Sequence, residues 1–146
     1  MKKKLIIALS FIAMSFTVWQ PDFERAKQIA KEKHELILLN FSGSDWCGPC
    51  IRMKKEIFEN EVFSKMADTT VVLFNADFPR NKKNQLDKLT QKQNEALADK
   101  YNPEGKFPFT LLLDANGGIL KSWDGLPNEN AELFAKQIKS IYDAGK

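Results

Sequence analysis

The sequence is poor in the residues that ligate metals, with two cysteines and one histidine in 146 residues. A tetrahedral site takes four ligands, so most metal frameworks are excluded; no metal ligand is assigned and no cofactor is expected. The chain also has almost no net charge. Its 22 Lys and Arg exceed the 19 Asp and Glu by three, and Lys2, Lys3 and Lys4 are those three. Past residue 15 the charges balance, which gives no electrostatic footprint for nucleic acid. There is no internal repeat, no low-complexity tract and no linker long enough to divide the chain. No apolar run approaches the ~20 residues of a membrane-spanning helix. The chain as a whole is 43% hydrophobic, ordinary for a globular protein, and long enough for one domain or two very small ones.

The first fifteen residues have their own pattern. Met1 to Lys4 is basic, Leu5 to Ala13 is apolar, and Ala13-Met14-Ser15 places small residues where a leader is cut. This order predicts a signal peptide over residues 1–15, with an approximate cleavage site, and a single domain over 16–146. A periplasmic or secreted location is expected. There disulfides persist.

Along the rest of the chain, Asp22 caps a helix predicted to reach about Lys33, with Phe23, Ala26, Ile29 and Ala30 on its apolar face. Glu35 to Ser42 contains Leu36-Ile37-Leu38-Leu39 and Phe41, a short run that fits a strand buried on both faces. The turn Ser42-Gly43-Ser44-Asp45 leads into a helix from about Cys47 to Phe58. Asn60 is either a break or a fresh cap, followed by a second short helix with Val62, Phe63 and Met66. Val71 to Ala76 is a strand, and a surface helix is expected over 81–101 with Leu86, Leu89, Ala96, Leu97 and Tyr101 as its stripe. Phe109 to Leu113 and Ile119 to Trp123 form a hairpin through Asp114-Ala115-Asn116-Gly117-Gly118. Asn128 or Asn130 caps a last helix carrying Leu133, Phe134, Ile138 and Ile141. This order describes an α/β sandwich whose early strands are parallel and whose last is antiparallel.

Both cysteines lie in Trp46-Cys47-Gly48-Pro49-Cys50, after a buried strand and at the start of a helix. Residues three apart on a helix are about 5–6 Å apart, within the span of a disulfide. Pro49 falls in the first turn, where its missing N–H costs nothing, and Gly48 relieves crowding there. The free N–H groups of a helix start favour a thiolate over a thiol. Cys47, nearer that start, is expected to be the more exposed and more reactive sulfur, with Cys50 more buried. The Cys47 thiolate would attack a client disulfide, and Cys50 would then resolve the mixed disulfide. A structural disulfide is one alternative, although a four-residue loop gains only about 2 kcal/mol on the chain-entropy model. Zinc is another, but Cys47, Cys50 and His34 fall one ligand short, and His34 sits among charged residues at a helix end.

Trp46-Cys47-Gly48-Pro49-Cys50 resembles the active-site motif of the thioredoxin family. Phe107-Pro108-Phe109-Thr110-Leu111-Leu112-Leu113 resembles the family strand that starts at a cis-proline. Ala98-Asp99-Lys100-Tyr101 and Asn116-Gly117-Gly118 fall where the family has a helix end and a hairpin. The resemblance covers about residues 17–144. Phe41 to Cys47 and Asp77-Phe78-Pro79 are more similar to exported bacterial members than to cytosolic thioredoxin. The fold implied is a thioredoxin-like three-layer α/β/α sandwich with a mixed central sheet.

The resemblance also implies roles. Cys47 would be the nucleophile, Cys50 the resolving thiol and Pro108 the cis-proline facing them. Trp46, Gly48, Pro49, Phe107 and Pro108 would bind an extended client strand to strand. The implied partners are protein thiol and disulfide clients and a membrane electron donor, and the protein is expected to be a monomer. The Gly-Pro pair resembles that of reductants, so disulfide reduction or isomerisation is the expected activity. The alternative is a non-enzymatic client-binding module with a closed structural disulfide. The sequence departs from the family in four places, one being the helix after Cys50, which lacks the family's kinking proline. Asn40 is the nearest match to the family's buried aspartate. The family's lysine on the next strand is replaced by Leu73 or a neighbour. Residues 79–100 are longer than the matching connection, and Asp45 has no role the sequence reveals.

Overall fold

The computed structural model describes residues 18–146; the predicted signal peptide lies outside the described residues. Five strands form one sheet in the order β1-β3-β2-β4-β5: β1 (Trp19–Gln20), β2 (Leu36–Ser42), β3 (Val71–Asp77), β4 (Phe109–Leu113) and β5 (Ile119–Asp124). β3 runs parallel to β1 and β2, whereas β4 is antiparallel to both β2 and β5. The sheet is therefore mixed, as expected. The two-residue edge strand β1 was not anticipated, being too short to carry any periodicity.

Helices cover both faces. Side chains alternate across a strand, so Ile37, Leu39 and Phe41 point to one face and Leu38 to the other. The first face packs on α1 (Phe23–Lys33) and α4 (Lys88–Tyr101) through Phe23, Ala26, Ala30, Leu97 and Tyr101. The second packs on α2 (Gly48–Met53), α3 (Glu61–Thr70) and α5 (Ala131–Ala144) through Met53, Phe63, Ala67, Phe134 and Ile138. Both faces of β2 are thus buried, which explains its unbroken apolar run. No helix among the described residues is long and apolar enough to cross a membrane.

Local signals set most boundaries. Asp22, Asn60 and Asn130 each accept a backbone N–H of the helix they precede, which satisfies a donor that has no partner within the helix. Gly117 takes a φ of 92° in the β4–β5 turn, a region that glycine enters without steric cost.

The structure corrects four expectations. The helix expected over 81–101 begins only at Lys88, because Asp87 accepts the N–H groups of Leu89 and Thr90; residues Lys82–Asn84 form a separate 3₁₀ turn. Leu89 is consequently 80% exposed, and Asn94 is buried on that helix instead. Val62 and Leu133, assigned to apolar faces, are exposed beside buried Phe63 and Phe134. The helix from Cys47 loosens after Met53 into a π-type turn over Lys54–Phe58.

Candidate active site

The site is built at the C-terminal end of β2. After Ser42 the chain turns sharply, and the N–H groups of Trp46 and Cys47 both donate to the Gly43 carbonyl. Cys47 is the N-cap of α2, and its sulfur accepts the Cys50 N–H at 3.3 Å. Pro49 lies in the first turn. Cys47 and Cys50 form a disulfide with 5.2 Å between their Cα atoms, as one helical turn allows.

The exposure of the two cysteines differs from expectation. Each is only 5% exposed, so Cys47 is not the more accessible residue. The Cys47 side chain turns back over the first helical turn, where it is bonded to Cys50 and accepts that residue's N–H.

Aromatic groups form a wall beside the bridge. The Trp46 indole N–H donates to the Phe78 carbonyl at 2.7 Å. The Phe107 ring meets Trp46 edge-on with centroids 5.4 Å apart, and Phe78 meets Phe107 likewise at 5.6 Å. The Phe107–Pro108 peptide bond is cis. Trp46 and Phe107 are thus brought together, whereas Gly48 and Pro49 lie exposed on the rim of the first helical turn. His34 is exposed at the end of α1, its φ of 56° closing that helix, and no cluster of three metal-ligating residues occurs among the described residues.

Beneath the first turn of α2 the sheet is polar. Asn40 donates to Asn75 at 2.8 Å and accepts from the Thr110 hydroxyl at 2.9 Å. Ser42 joins Asn75 to the Asp77 carboxylate. Buried amides and hydroxyls satisfied this way escape the penalty of unpaired polar groups. The residue alongside Asn40 on β3 is Asn75, not Leu73, which lies two positions earlier in the apolar core. A cavity of about 400 Å³ opens here, lined by Asn40, Ser42, Asn75, Cys50 and Lys54 among others.

Asp45 is engaged by the loop after β3. Its carboxylate accepts the N–H groups of Arg80 and Asn81, each at 2.9 Å, and the Asn84 side-chain amide at 3.0 Å. These donors, the Arg80 N–H foremost, hold its pKa below the ordinary aspartate value. The bonds draw the loop after β3 against the active-site turn and place the Arg80 guanidinium 3.6 Å from the centre of the Trp46 ring. Asn75 and Arg80 are not named by the sequence reading, and Gly43 and Phe78 enter it only as parts of a turn and of the family resemblance. Asn75 did leave a signal, as a polar residue closing the apolar run Val71 to Phe74.

A mixed sheet between helical layers, with a disulfide-bonded cysteine pair at a helix start and Phe107 packed on the adjoining Trp46, defines the class of thioredoxin-fold redox proteins. A family profile described as thioredoxin-like matches residues 18–115. The chain is similar to the disulfide bond reductase DsbH of Chlamydia pneumoniae, at 31% identity over 129 residues, covering 88% of this chain and 75% of that protein. It is also similar to the thioredoxin-related protein DsbJ of Chlamydia pneumoniae, at 36% identity over 96 residues, covering 66% of this chain but only 27% of DsbJ. A solved DsbH oxidoreductase matches with a TM-score of 0.80 and 25% identity over 97% of this chain and 95% of that one. A thioredoxin from Thermus thermophilus matches in fold, with a TM-score of 0.64 at 13% identity, covering 86% and 88% of the two chains. The chain belongs to the thioredoxin-like family. With its Cys-x-x-Cys pair it is a protein thiol–disulfide oxidoreductase.

Proposed function

We propose that this protein reduces disulfide bonds of other proteins outside the cytosol, with Cys47 as the attacking sulfur and Cys50 as the resolving one. The observation that carries the reading is the Cys50 N–H directed at the Cys47 sulfur, at the first turn of α2. In the reduced protein that donor and the positive end of the helix favour a thiolate at Cys47. The thiolate attacks a client disulfide and releases one client thiol. Cys50 then displaces the second client thiol and closes the bridge, so two electrons pass from the dithiol to the client.

Trp46, Gly48, Pro49, Phe107 and Pro108 line the client groove, into which an extended segment pairs beside Phe107. Asn40 cannot serve as a base. The cavity beside Cys50 gives water a route to that sulfur, and solvent takes its proton during resolution. Likeness to a protein named a disulfide bond reductase supports reduction over isomerisation. The basic and apolar order of residues 1–15 supports export. A monomer recharged by a membrane electron donor completes the reading.

Insulin reduction with dithiothreitol tests it. The wild-type protein should accelerate insulin precipitation, C47S should fall to the dithiothreitol background, and C50S should accumulate mixed disulfides. Equal rates for wild type and C47S would overturn the assignment.

A further inference from the structure

The loop after β3 carries chemistry that disulfide exchange itself does not use. It is stitched to the site by the three bonds into Asp45, and Gln85 closes it by donating to the Pro79 carbonyl at 3.1 Å. The Arg80 guanidinium is therefore held in place, stacked on the indole next to Cys47. Among the described residues that guanidinium makes no hydrogen bond or ion pair, so its planar fork of donors is unspent. Lys82 and Lys83 are exposed on the same loop, also without an ion pair among the described residues. The two nearby carboxylates are already engaged: Asp45 by the loop amides, and Asp77 by Ser42 and Ser44.

The geometry points to a carboxylate-binding subsite at Arg80, which selects clients carrying Asp or Glu beside the attacked cysteine. A guanidinium binds a carboxylate through two parallel hydrogen bonds. Stacking on Trp46 fixes the Arg80 side chain in advance, which lowers the ordering cost of that contact. Lys82 and Lys83 add attraction that weakens with salt. The inference rests on Cys47 being the nucleophile.

Two peptides test it, each with one cysteine in mixed disulfide with 5-thio-2-nitrobenzoate, flanked by Glu in one and Gln in the other. The reduced wild-type protein is mixed with each. Cys47 bonds to the peptide sulfur as the mixed disulfide breaks and the coloured thiolate leaves; Cys50 then frees the peptide thiol. At low salt the Glu peptide should react about fivefold faster, the scale of an exposed but well-oriented ion pair. In R80Q the ratio should fall within about twofold, and R80K should lie between because it keeps the charge without the fork. A merely structural role for Arg80 would change both rates and leave their ratio intact. Equal wild-type rates, or a preference that survives in R80Q, overturns the subsite alone. No reaction with either peptide overturns the Cys47 assignment and the subsite with it.

Discussion

Asn40 donates its side-chain amide to Asn75, 2.8 Å away on the neighbouring strand, in the layer beneath the disulfide. The pair is neutral, and each amide is satisfied with help from Thr110 or Ser42, where the family resemblance leads one to expect an aspartate and a lysine. A carboxylate placed there would keep the Thr110 hydroxyl as a donor but lose its bond to Asn75. Asn75 turns an acceptor oxygen toward position 40, and Asn40 is only 4% exposed. Asn40→Asp should therefore fold with its carboxyl pKa raised above the ordinary value of about 4. The folded state then binds more protons than the unfolded state between those two values, so stability falls as pH rises through that window. We expect N40D to match wild type in acid and to lose about 1–3 kcal/mol at neutral pH, the cost of a poorly paired buried polar group. Urea unfolding at several pH values measures this. A stability difference that does not vary with pH would refute it.

Gly43 lies under the Trp46 indole so closely that a Cβ at that position would overlap the ring. The ring cannot yield freely, being bonded to the Phe78 carbonyl and packed against Phe107. Gly43→Ala should displace the indole and cost about 1–3 kcal/mol, the usual penalty for forcing atoms into a packed site. The Trp46 indole N–H signal in a ¹⁵N correlation spectrum should move with it. An unchanged signal and unchanged unfolding midpoint would show that the turn adjusts without cost.

The contrast between Asp22 and Arg80 shows which features are legible in the sequence. Asp22 acts on Arg25, three residues away, so its capping role follows from local pattern alone; the same pattern brings Asn60 forward and narrows the last cap to Asn128 or Asn130, of which the structure uses Asn130. The apolar run of β2 announces burial on both faces, and the two cysteines announce their bond by spacing. Helix phase was less legible. Leu133 neighbours Phe134, and only the start fixed by Asn130 decides which one turns inward, whereas Leu89 stands between Lys88 and Thr90 in a first turn whose start is set by Asp87. The loop side of the aromatic wall beside the disulfide was least legible. Asp45 and Arg80 are 35 residues apart, and Trp46 reaches Phe78 across 32. Such contacts depend on strand register, which no local pattern encodes.

Acid should release the loop that carries Arg80, but only at unusually low pH. The Arg80 N–H, then the Asn84 amide and the Asn81 N–H, stabilise the charged form of Asp45 and depress its pKa. For a depressed carboxyl, the contribution is complete above the unfolded value and is lost as pH falls through the folded one. The Trp46 indole N–H signal should therefore stay constant from neutral pH down to about pH 4, the ordinary aspartate value, and shift only below it. Asp45→Asn places an amide against the loop donors, so its signal should differ from wild type at neutral pH and lack the acid transition. A wild-type transition at or above the ordinary aspartate range would mean that these bonds do not bias Asp45. A transition retained in D45N would assign the acid response to another carboxylate, Asp77 being the nearest in the network.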